Sequence, residues 1–411
     1  MVETDLLKTA EKILEFGPIC DSCLGRQFAM LSTGLTNRER GRALRTVIRM
    51  SHDDRTLPEK GCWVCLGLFE RDKLASWAEK VEDALHGIEC RTFLIGTQVS
   101  GLLSENEEIL WGECGIQYAE PLKSELNREI GKLVSERKGI EVEFTRPDVL
   151  IILDLARDRV NLSINARFIF GRYLKLIRGI PQTRWPCSRC RGKGCQACNF
   201  TGKLYKESVE ELIGEVALPL FKGEDYRLHG AGREDIDARM LGRGRPFILE
   251  IKSPKAREVD LKVLEDGVDH TKVSLTGLRY TDGSRVEVLK SASPTKRYRA
   301  KIRVGDLDKI RLESGLNELS GAIIDQKTPQ RVLHRRVDKT RRRKVIEAHL
   351  LGIEDGYAII EILSEAGLYI KELVSGDKGR SSPSLSSIME EDLSVEELDV
   401  IDVGDIEGIE I

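Results

Sequence analysis

The residues best suited to chemistry in this 411-residue chain lie between Gly232 and Gly242, in the segment Gly-Arg-Glu-Asp-Ile-Asp-Ala-Arg-Met-Leu-Gly. Asp235 completes an Arg-x-Asp element with Arg233, and Arg239 follows shortly after. A carboxylate that is to attack a sugar must stay ionised inside a closed site, and nearby cations offset the desolvation that would otherwise raise its pKa. The segment therefore reads as a strand carrying a nucleophile. Asp237 is a rival carboxylate, but it does not complete Arg-x-Asp. The same mixture of Asp and Arg is common on solvated turns, so other segments must supply the rest of a site.

Three further segments qualify. In Lys296-Arg297-Tyr298-Arg299-Ala300 an aromatic ring is flanked by cations, which suits stacking on an extruded base while the neighbours hold phosphates. Gly367-Leu-Tyr369-Ile-Lys371 offers a second aromatic and another cation. Between Arg331 and Lys344 eight residues are Lys or Arg, Arg335 and Arg336 among them, the densest basic patch of the chain and a candidate contact for RNA backbone. The six histidines show no metal-ligand spacing, and His334 is expected to be structural.

Eight of the ten cysteines form four Cys-x-x-Cys pairs: Cys20/Cys23, Cys62/Cys65, Cys187/Cys190 and Cys195/Cys198. Thiolates so spaced in a reducing compartment hold zinc tetrahedrally, and disulfides are not expected. The first two pairs would close one site and staple a small N-terminal region. The last two are separated by a short loop in which Gly192 and Gly194 supply turn freedom, so they would close a second site. That spacing would also suit an iron–sulfur cluster, although nothing else in the chain points to redox chemistry. Cys90 and Cys114 remain, expected as small buried hydrophobes.

The elements that must position these residues form an α+β, multidomain chain. The length exceeds that of one ordinary domain. No run of about 18 apolar residues occurs, and the N-terminus carries acids where a signal peptide would be basic, so a cytoplasmic protein with no membrane partner is expected. The net charge of −3 conceals an asymmetry, because ten of the 68 acidic residues lie within 381–411, where no Lys or Arg occurs. The rest of the chain is basic and compatible with a polyanion such as RNA. The boundaries expected are an N-terminal four-cysteine zinc region over 1–68, an RNA-binding α+β domain over 69–183, a second four-cysteine knuckle and linker over 184–205, a mixed-sheet catalytic domain over 206–387, and a solvated acidic tail over 388–411. Helices are expected near the start and over Trp77–Leu85 and Leu122–Val134, a hairpin over 148–166, and strands including Pro246–Ile251, Val286–Leu289, Tyr298–Val304 and Tyr357–Leu363. The stretch Ile169–Ile180, with Arg and Lys between apolar and aromatic residues, suits a surface gripping RNA backbone and stacking on bases, and its composition also fits an ordinary amphipathic strand.

Arg-x-Asp, Lys-x-Tyr-x-Ala and Gly-x-Tyr-Ile-Lys, in that order, resemble the motifs of pseudouridine synthases, and Gly-Arg-Glu-Asp-x-Asp-x-Arg-x-Leu-Gly is similar to the Pus-ten type of archaea and eukaryotes. The resemblance covers most of the chain. It implies a THUMP-containing RNA-binding region ahead of the catalytic domain, with residues 148–179 matching THUMP. It also implies formation of pseudouridine at positions 54 and 55 of the tRNA TΨC loop, with the TΨC arm of tRNA as partner, structural zinc, no organic cofactor and no obligate protein partner. Carried over by position, Asp235 becomes the nucleophile or key carboxylate, Tyr298 the residue stacking on the target uracil, and Tyr369 a second aromatic beside it. Lys371 becomes the cation paired with Asp235, where many relatives in the wider superfamily carry Arg. Arg233 and Arg239 would contact the flipped nucleotide, and Arg335 and Arg336 the backbone. The competing reading is a THUMP-type RNA-binding protein with another RNA-modification chemistry or a non-catalytic tRNA-folding role. The first of these would need a Gly-rich nucleotide or cofactor loop, and neither Gly-x-Gly-x-x-Gly nor a P-loop pattern occurs.

Overall fold

A computed structural model describes residues 2–51, 61–115 and 117–409. Two compact units emerge, residues 1–165 and 166–411.

The first unit opens with helices α1 (Val2–Glu15), α2 (Asp21–Arg26), α3 (Asn37–Ser51) and α4 (Arg71–Ala84). Strand β1 (Thr92–Gln98), helices α5 (Gly101–Cys114) and α6 (Leu122–Lys138), and strands β2 (Glu141–Val142), β3 (Val149–Asp154) and β4 (Arg159–Ile164) follow. The sheet runs β2-β1-β3-β4, parallel around β1 and closed by the antiparallel β3–β4 hairpin expected from sequence. Alternation decides which face is covered: Val149, Ile151 and Leu153 are buried while the residues between them are not fully so, except Asp154 at the end. The expected boundary at residue 68 does not separate two cores. Cys23, Val64 and Cys65 pack into the same apolar cluster as Trp77, Phe93 and Ile151, because the short cysteine-rich segment alone buries too little apolar surface to stand apart. Cys90 and Cys114, expected to be buried, are half-buried.

The second unit begins with β5 (Arg167–Lys175) and, beyond the second cysteine cluster, α7 (Val209–Phe221), β6 (Asp225–Gly230), β7 (Arg239–Lys252), α8 (Leu261–Gly267) and β8 (Val273–Thr281). Helix α9 (Arg285–Ser291), β9 (Lys296–Arg303), α10 (Lys309–Leu319), β10 (Ile323–Gln326), β11 (Arg341–Glu354) and β12 (Tyr357–Ser364) lead to α11 (Ile370–Ser375), β13 (Ser381–Ser382), α12 (Leu385–Met389) and β14 (Ser394–Val403). Among the described residues these strands form one ten-stranded mixed sheet in the order β13-β10-β11-β12-β9-β14-β7-β5-β8, with β6 also on β7. Val286–Leu289, expected as a strand, lies in α9 instead; the run is too short for periodicity to separate a buried strand from a helical turn.

Two sequence expectations fail here, because in each segment the apolar residues between the charges are what the fold covers. The stretch Ile169–Ile180 is not an RNA-gripping surface of an RNA-binding domain ending at residue 183. It begins in β5, which pairs with β7 and β8 of the second unit and buries Ile169, Tyr173 and Lys175. The acidic tail is not a solvated extension either. Strand β14 lies between β9 and β7, with Leu398, Val400 and Val403 buried. Its acids are matched by arginines: Asp399 accepts from Arg178 and Arg239, and Asp402 and Asp405 from Arg243. The approach of β14 to β7 is close enough that a Cβ on Gly242, whose φ is +62°, would fall 1.8 Å from the Ile401 carbonyl oxygen.

Candidate active site

Asp235 lies on the connection between β6 and β7, not on a strand as its sequence suggests. The chain leaves β6 through Gly232 at φ +76° and closes a turn in which the Ala238 amide donates to the Asp235 carbonyl at 3.1 Å. The Gly232 φ is one that side chains rarely adopt, and a Cβ there would also meet Lys296 Nζ at 2.9 Å and displace the end of that side chain.

The loop is fixed from beneath by buried polar side chains. Glu234 pairs with Arg245 of β7 at 2.9 Å, both side chains essentially inaccessible, and Arg245 also donates to the Ala231 carbonyl at 2.8 Å. The Tyr173 hydroxyl donates to Glu234 at 2.9 Å, while Gln182 Nε2 donates to that hydroxyl at 2.7 Å and to the Gly232 carbonyl at 3.0 Å. Lys175 Nζ donates to the carbonyls of Ile180, Asp235 and Ile236 at 2.9, 3.2 and 3.1 Å. Burial pushes the Lys175 pKa down. Its ammonium thus serves as a backbone clamp, with three donors matched to three carbonyls.

Above the loop lies a cavity of about 260 Å³, lined among others by Arg233, Asp235, Arg245, Lys296, Tyr298 and Tyr369. Arg331, Arg336, Arg341 and Lys371 also border it, and Leu398 and Val400 of β14 give it an apolar wall. The terminal segment expected to be solvated therefore builds part of the site. Tyr298 sits on β9 opposite Ile362 of β12 and Val400 of β14. Burial pushes its hydroxyl pKa up to about 12, with Arg245 working against the shift and Asp235 adding to it, so the ring is a neutral, apolar face near neutral pH. Tyr369 precedes α11; its amide donates to Gln326 Oε1 at 2.8 Å, its carbonyl accepts from Gln326 Nε2 at 3.0 Å, and its hydroxyl accepts from Arg336 at 3.0 Å.

The carboxylate pairing differs from the one that the resemblance implied. Lys371 does not pair with Asp235; its Nζ is 2.5 Å from Asp237 Oδ2. Asp235 Oδ2 is held instead by Arg331 Nη2 at 2.9 Å, and Arg331 Nε reaches Glu372 Oε1 at 2.7 Å. Burial disfavours the Arg331 cation, but its hydrogen bond to Glu372 and the Asp235 charge outweigh that and hold its pKa above the usual guanidinium range. Burial would raise the Asp237 carboxyl, yet the Lys371 hydrogen bond and charge hold it below its ordinary value. The planar Arg331 fork can bind two carboxylates at once, which a compact ammonium reaches less well.

Arg233, Asp235, Tyr298, Arg336, Tyr369 and Lys371 are thus gathered around one cavity, and Arg239 is not. Arg239 forms a two-point contact with Asp399 at 3.0 and 2.7 Å and ties the start of β7 to β14. The Arg335 side chain lies outside the described residues. Residues that the sequence did not single out for the site include Arg331 as a partner of Asp235, Glu372 and the Glu234–Arg245 pair, and Lys296 entered only as one of the cations flanking Tyr298. Lys296 makes no hydrogen bond or ion pair among the described residues, and burial, with a further contribution from Arg245 against Glu234, pushes its pKa down to about 7. Its place two residues before Tyr298, on the same strand face, was a usable signal.

The four thiols of each cysteine group lie within 4.8 Å of one another. Cys20 and Cys65 sulfurs are 3.8 Å apart, and in the second group the Cys187–Cys195, Cys190–Cys198 and Cys195–Cys198 separations are 4.0, 3.9 and 3.7 Å. A tetrahedron with metal–sulfur bonds of about 2.3 Å has edges of about 3.8 Å, so both groups fit a four-coordinate metal ion. In the second group the Cys195 and Gly202 amides donate to Cys198 Sγ at 3.2 and 3.3 Å; the Cys195 amide is the larger influence in bringing that thiol down to about 6.

Comparison with known proteins shows the family of the chain. A family model described as "Pus10, C-terminal" matches residues 168–404, taking in both β5 and β14, and one described as "Pus10 THUMP domain, archaeal" matches residues 77–154. The tRNA pseudouridine synthase Pus10 of Methanothrix thermoacetophila is 45% identical over 439 residues, covering 100% of this chain and 97% of that protein. The tRNA pseudouridine synthase Pus10 of Halorubrum lacusprofundi is 42% identical, covering 97% of this chain and 96% of that protein. A solved Cbf5–Nop10–Gar1 complex contains a chain similar at a TM-score of 0.32, with 15% identity, over 57% of this chain and 49% of that one. With one family model spanning more than half of the residues and these relatives aligned over nearly all of them, the chain belongs to the Pus10 family.

Proposed function

We propose that the chain is a tRNA pseudouridine synthase, an isomerase acting on uridine in the TΨC loop at positions 54 and 55, in the cytoplasm. The observation that carries this reading is Asp235 on a rigidly held loop, opening into a small cavity walled by Tyr298, in a chain of the Pus10 family. The target nucleotide leaves its stack and enters the cavity, with its uracil on the Tyr298 ring. The N1–C1′ bond breaks, the uracil turns, C5 bonds to C1′, and the C5 proton leaves as N1 gains one. Asp235 acts on the ribose as it becomes electron-poor, either by adding to C1′ or by taking a sugar proton, and Arg331 holds its carboxylate in line. Lys296, with no partner among the described residues, faces the substrate as a donor to a phosphate or carbonyl oxygen. The reaction is redox-neutral and atom-balanced, and it is proposed to run without an organic cofactor.

Zinc is the metal proposed for both cysteine groups, in a structural role, with Cys20, Cys23, Cys62 and Cys65 in one site and Cys187, Cys190, Cys195 and Cys198 in the other. No cysteine of either group lines the cavity.

The test is tritium release from C5-labelled uridine in tRNA transcripts, with the modified position mapped by carbodiimide-dependent primer extension. The wild-type protein is expected to release tritium and to mark positions 54 and 55, and Asp235→Asn to release none. Full activity of Asp235→Asn, or stops elsewhere in the tRNA, would overturn the corresponding part of the reading.

A further inference from the structure

A second recess, of about 300 Å³, borders the same Asp235 loop. Its aromatic lining comes from the stem of the second cysteine knuckle. The Leu204 amide donates to the Trp185 carbonyl at 2.8 Å, the Cys187 amide donates to the Gly202 carbonyl at 2.7 Å, and Pro186 bridges to Lys203. The chain entering the knuckle therefore runs antiparallel to the chain leaving it. That pairing brings Trp185 and Tyr205 together, edge to face, with ring centroids 5.6 Å apart at 81°. Both rings line the recess and both remain half-buried.

The two cavities share a wall. Arg233, Asp235, Arg331 and Lys371 border both. Arg233 holds its guanidinium carbon 5.6 Å from the centre of the Trp185 ring. The carboxylates along this wall are each matched by a cation: Asp235 by Arg331, Asp237 by Lys371 and Glu234 by Arg245. An RNA phosphate arriving there meets acids already matched by cations, with the Arg233 guanidinium beside the Trp185 ring. Aromatic faces next to a guanidinium are the chemistry with which proteins hold unstacked nucleotides of a single strand.

We propose that this recess is a nucleotide subsite that takes the neighbour of the flipped uridine, its base against Trp185 and Tyr205 and the linking phosphate beside Arg233. The proposal rests on the synthase reading above. A nucleotide in the Asp235 cavity has each neighbour one backbone link away, and the recess shares lining residues with that cavity. The knuckle thereby contributes to substrate selection by holding two aromatic residues against the catalytic loop.

The experiment uses the full-length, metal-loaded protein and tRNA transcripts carrying an abasic residue on the 5′ or the 3′ side of the target uridine. Binding and single-turnover pseudouridine formation are measured for wild type, Trp185→Phe and Trp185→Ala. Loss of the stack is expected to weaken transcript binding by about 5- to 100-fold in Trp185→Ala and by much less in Trp185→Phe. One of the two abasic transcripts is expected to weaken wild-type binding similarly while adding nothing to the Trp185→Ala defect. Unchanged binding by a Trp185→Ala protein with wild-type metal content, or additive effects with both transcripts, would overturn the subsite. Should Trp185→Ala not fold, photocrosslinking of wild type to 4-thiouridine at the neighbouring positions decides: adducts within residues 181–205 support the subsite, and adducts elsewhere alone overturn it. A wild-type protein that makes no pseudouridine in the intact transcript defeats the synthase reading itself, and the subsite with it.

Discussion

Arg331 lies 2.9 Å from the Asp235 carboxylate and, through its Nε, 2.7 Å from Glu372, so one guanidinium ties Asp235 to the start of α11. Arg331 comes from the basic run between β10 and β11, nearly a hundred residues from Asp235 in sequence. Both side chains of the pair are about one-third exposed, 33% for Asp235 and 35% for Arg331, so the contact positions the carboxylate far more than it stabilises the fold.

Replacing Arg331 should therefore remove activity without unfolding the protein. Arg331→Ala is expected to slow single-turnover pseudouridine formation by about 100-fold, the scale for loss of one aligned polar contact in a preorganised site. Arg331→Lys should recover only part of this, because an ammonium lacks the fork that reaches Asp235 and Glu372 together. Wild-type rates in Arg331→Ala would show that the contact has no part in catalysis.

Glu234 poses the opposite case, since its pair with Arg245 is buried and the loop hangs from it. Glu234→Ala leaves a buried guanidinium uncompensated and is expected to cost about 3–5 kcal/mol of stability, read from denaturant midpoints. The double variant Glu234→Ala/Arg245→Met should recover much of that loss, because it removes the stranded charge. A single variant as stable as wild type would contradict the assignment.

Lys296 gives the site a pH dependence whose sign follows from its pKa of about 7, against 10.5 for an ordinary lysine. Between these values the unfolded chain holds a proton that the folded chain lacks, so this group makes stability rise with pH from about 7 to 10.5. Substrate binding has the opposite sense. An RNA oxygen on Nζ favours the ammonium, so binding above pH 7 takes up a proton, and affinity should fall by up to about tenfold per pH unit. Titrating tRNA affinity of wild type against Lys296→Arg, which stays charged, checks this; parallel profiles would remove Lys296 from the interface.

Metal removal should act on the fold rather than on the chemistry. Cys23, Cys62 and Cys65 are buried within the core of the first unit, so stripping the metal leaves closely packed thiols there without their cross-link. Chelation is expected to release two zinc ions per chain and to lower Tm by about 10 °C or more in calorimetry. A thermogram unchanged after complete metal loss would show that neither group is structural.

Local sequence carries a good deal of this protein. Cys-x-x-Cys spacing brings two sulfurs onto one knuckle whatever surrounds it, and both predicted groups of four assemble. Arg-x-Asp, Lys-x-Tyr-x-Ala and Gly-x-Tyr-Ile-Lys identify Asp235, Tyr298 and Tyr369, which do meet at one cavity, because each motif combines its side chain with the glycines or strand alternation that present it. What local pattern does not carry is partner choice. The resemblance pairs Lys371 with Asp235, and only the packing of the β10–β11 connection against α11 gives Arg331 to Asp235 and Lys371 to Asp237. The same holds for β14. Its acids suggest solvent, yet Asp399 meets Arg178 and Arg239 from segments far away in sequence, and the strand's buried Leu398, Val400 and Val403 complete the sheet, the first two also walling the cavity. Charge is cancelled and apolar faces are covered by whatever the fold brings near, and over separations of more than a hundred residues that is decided by tertiary structure alone.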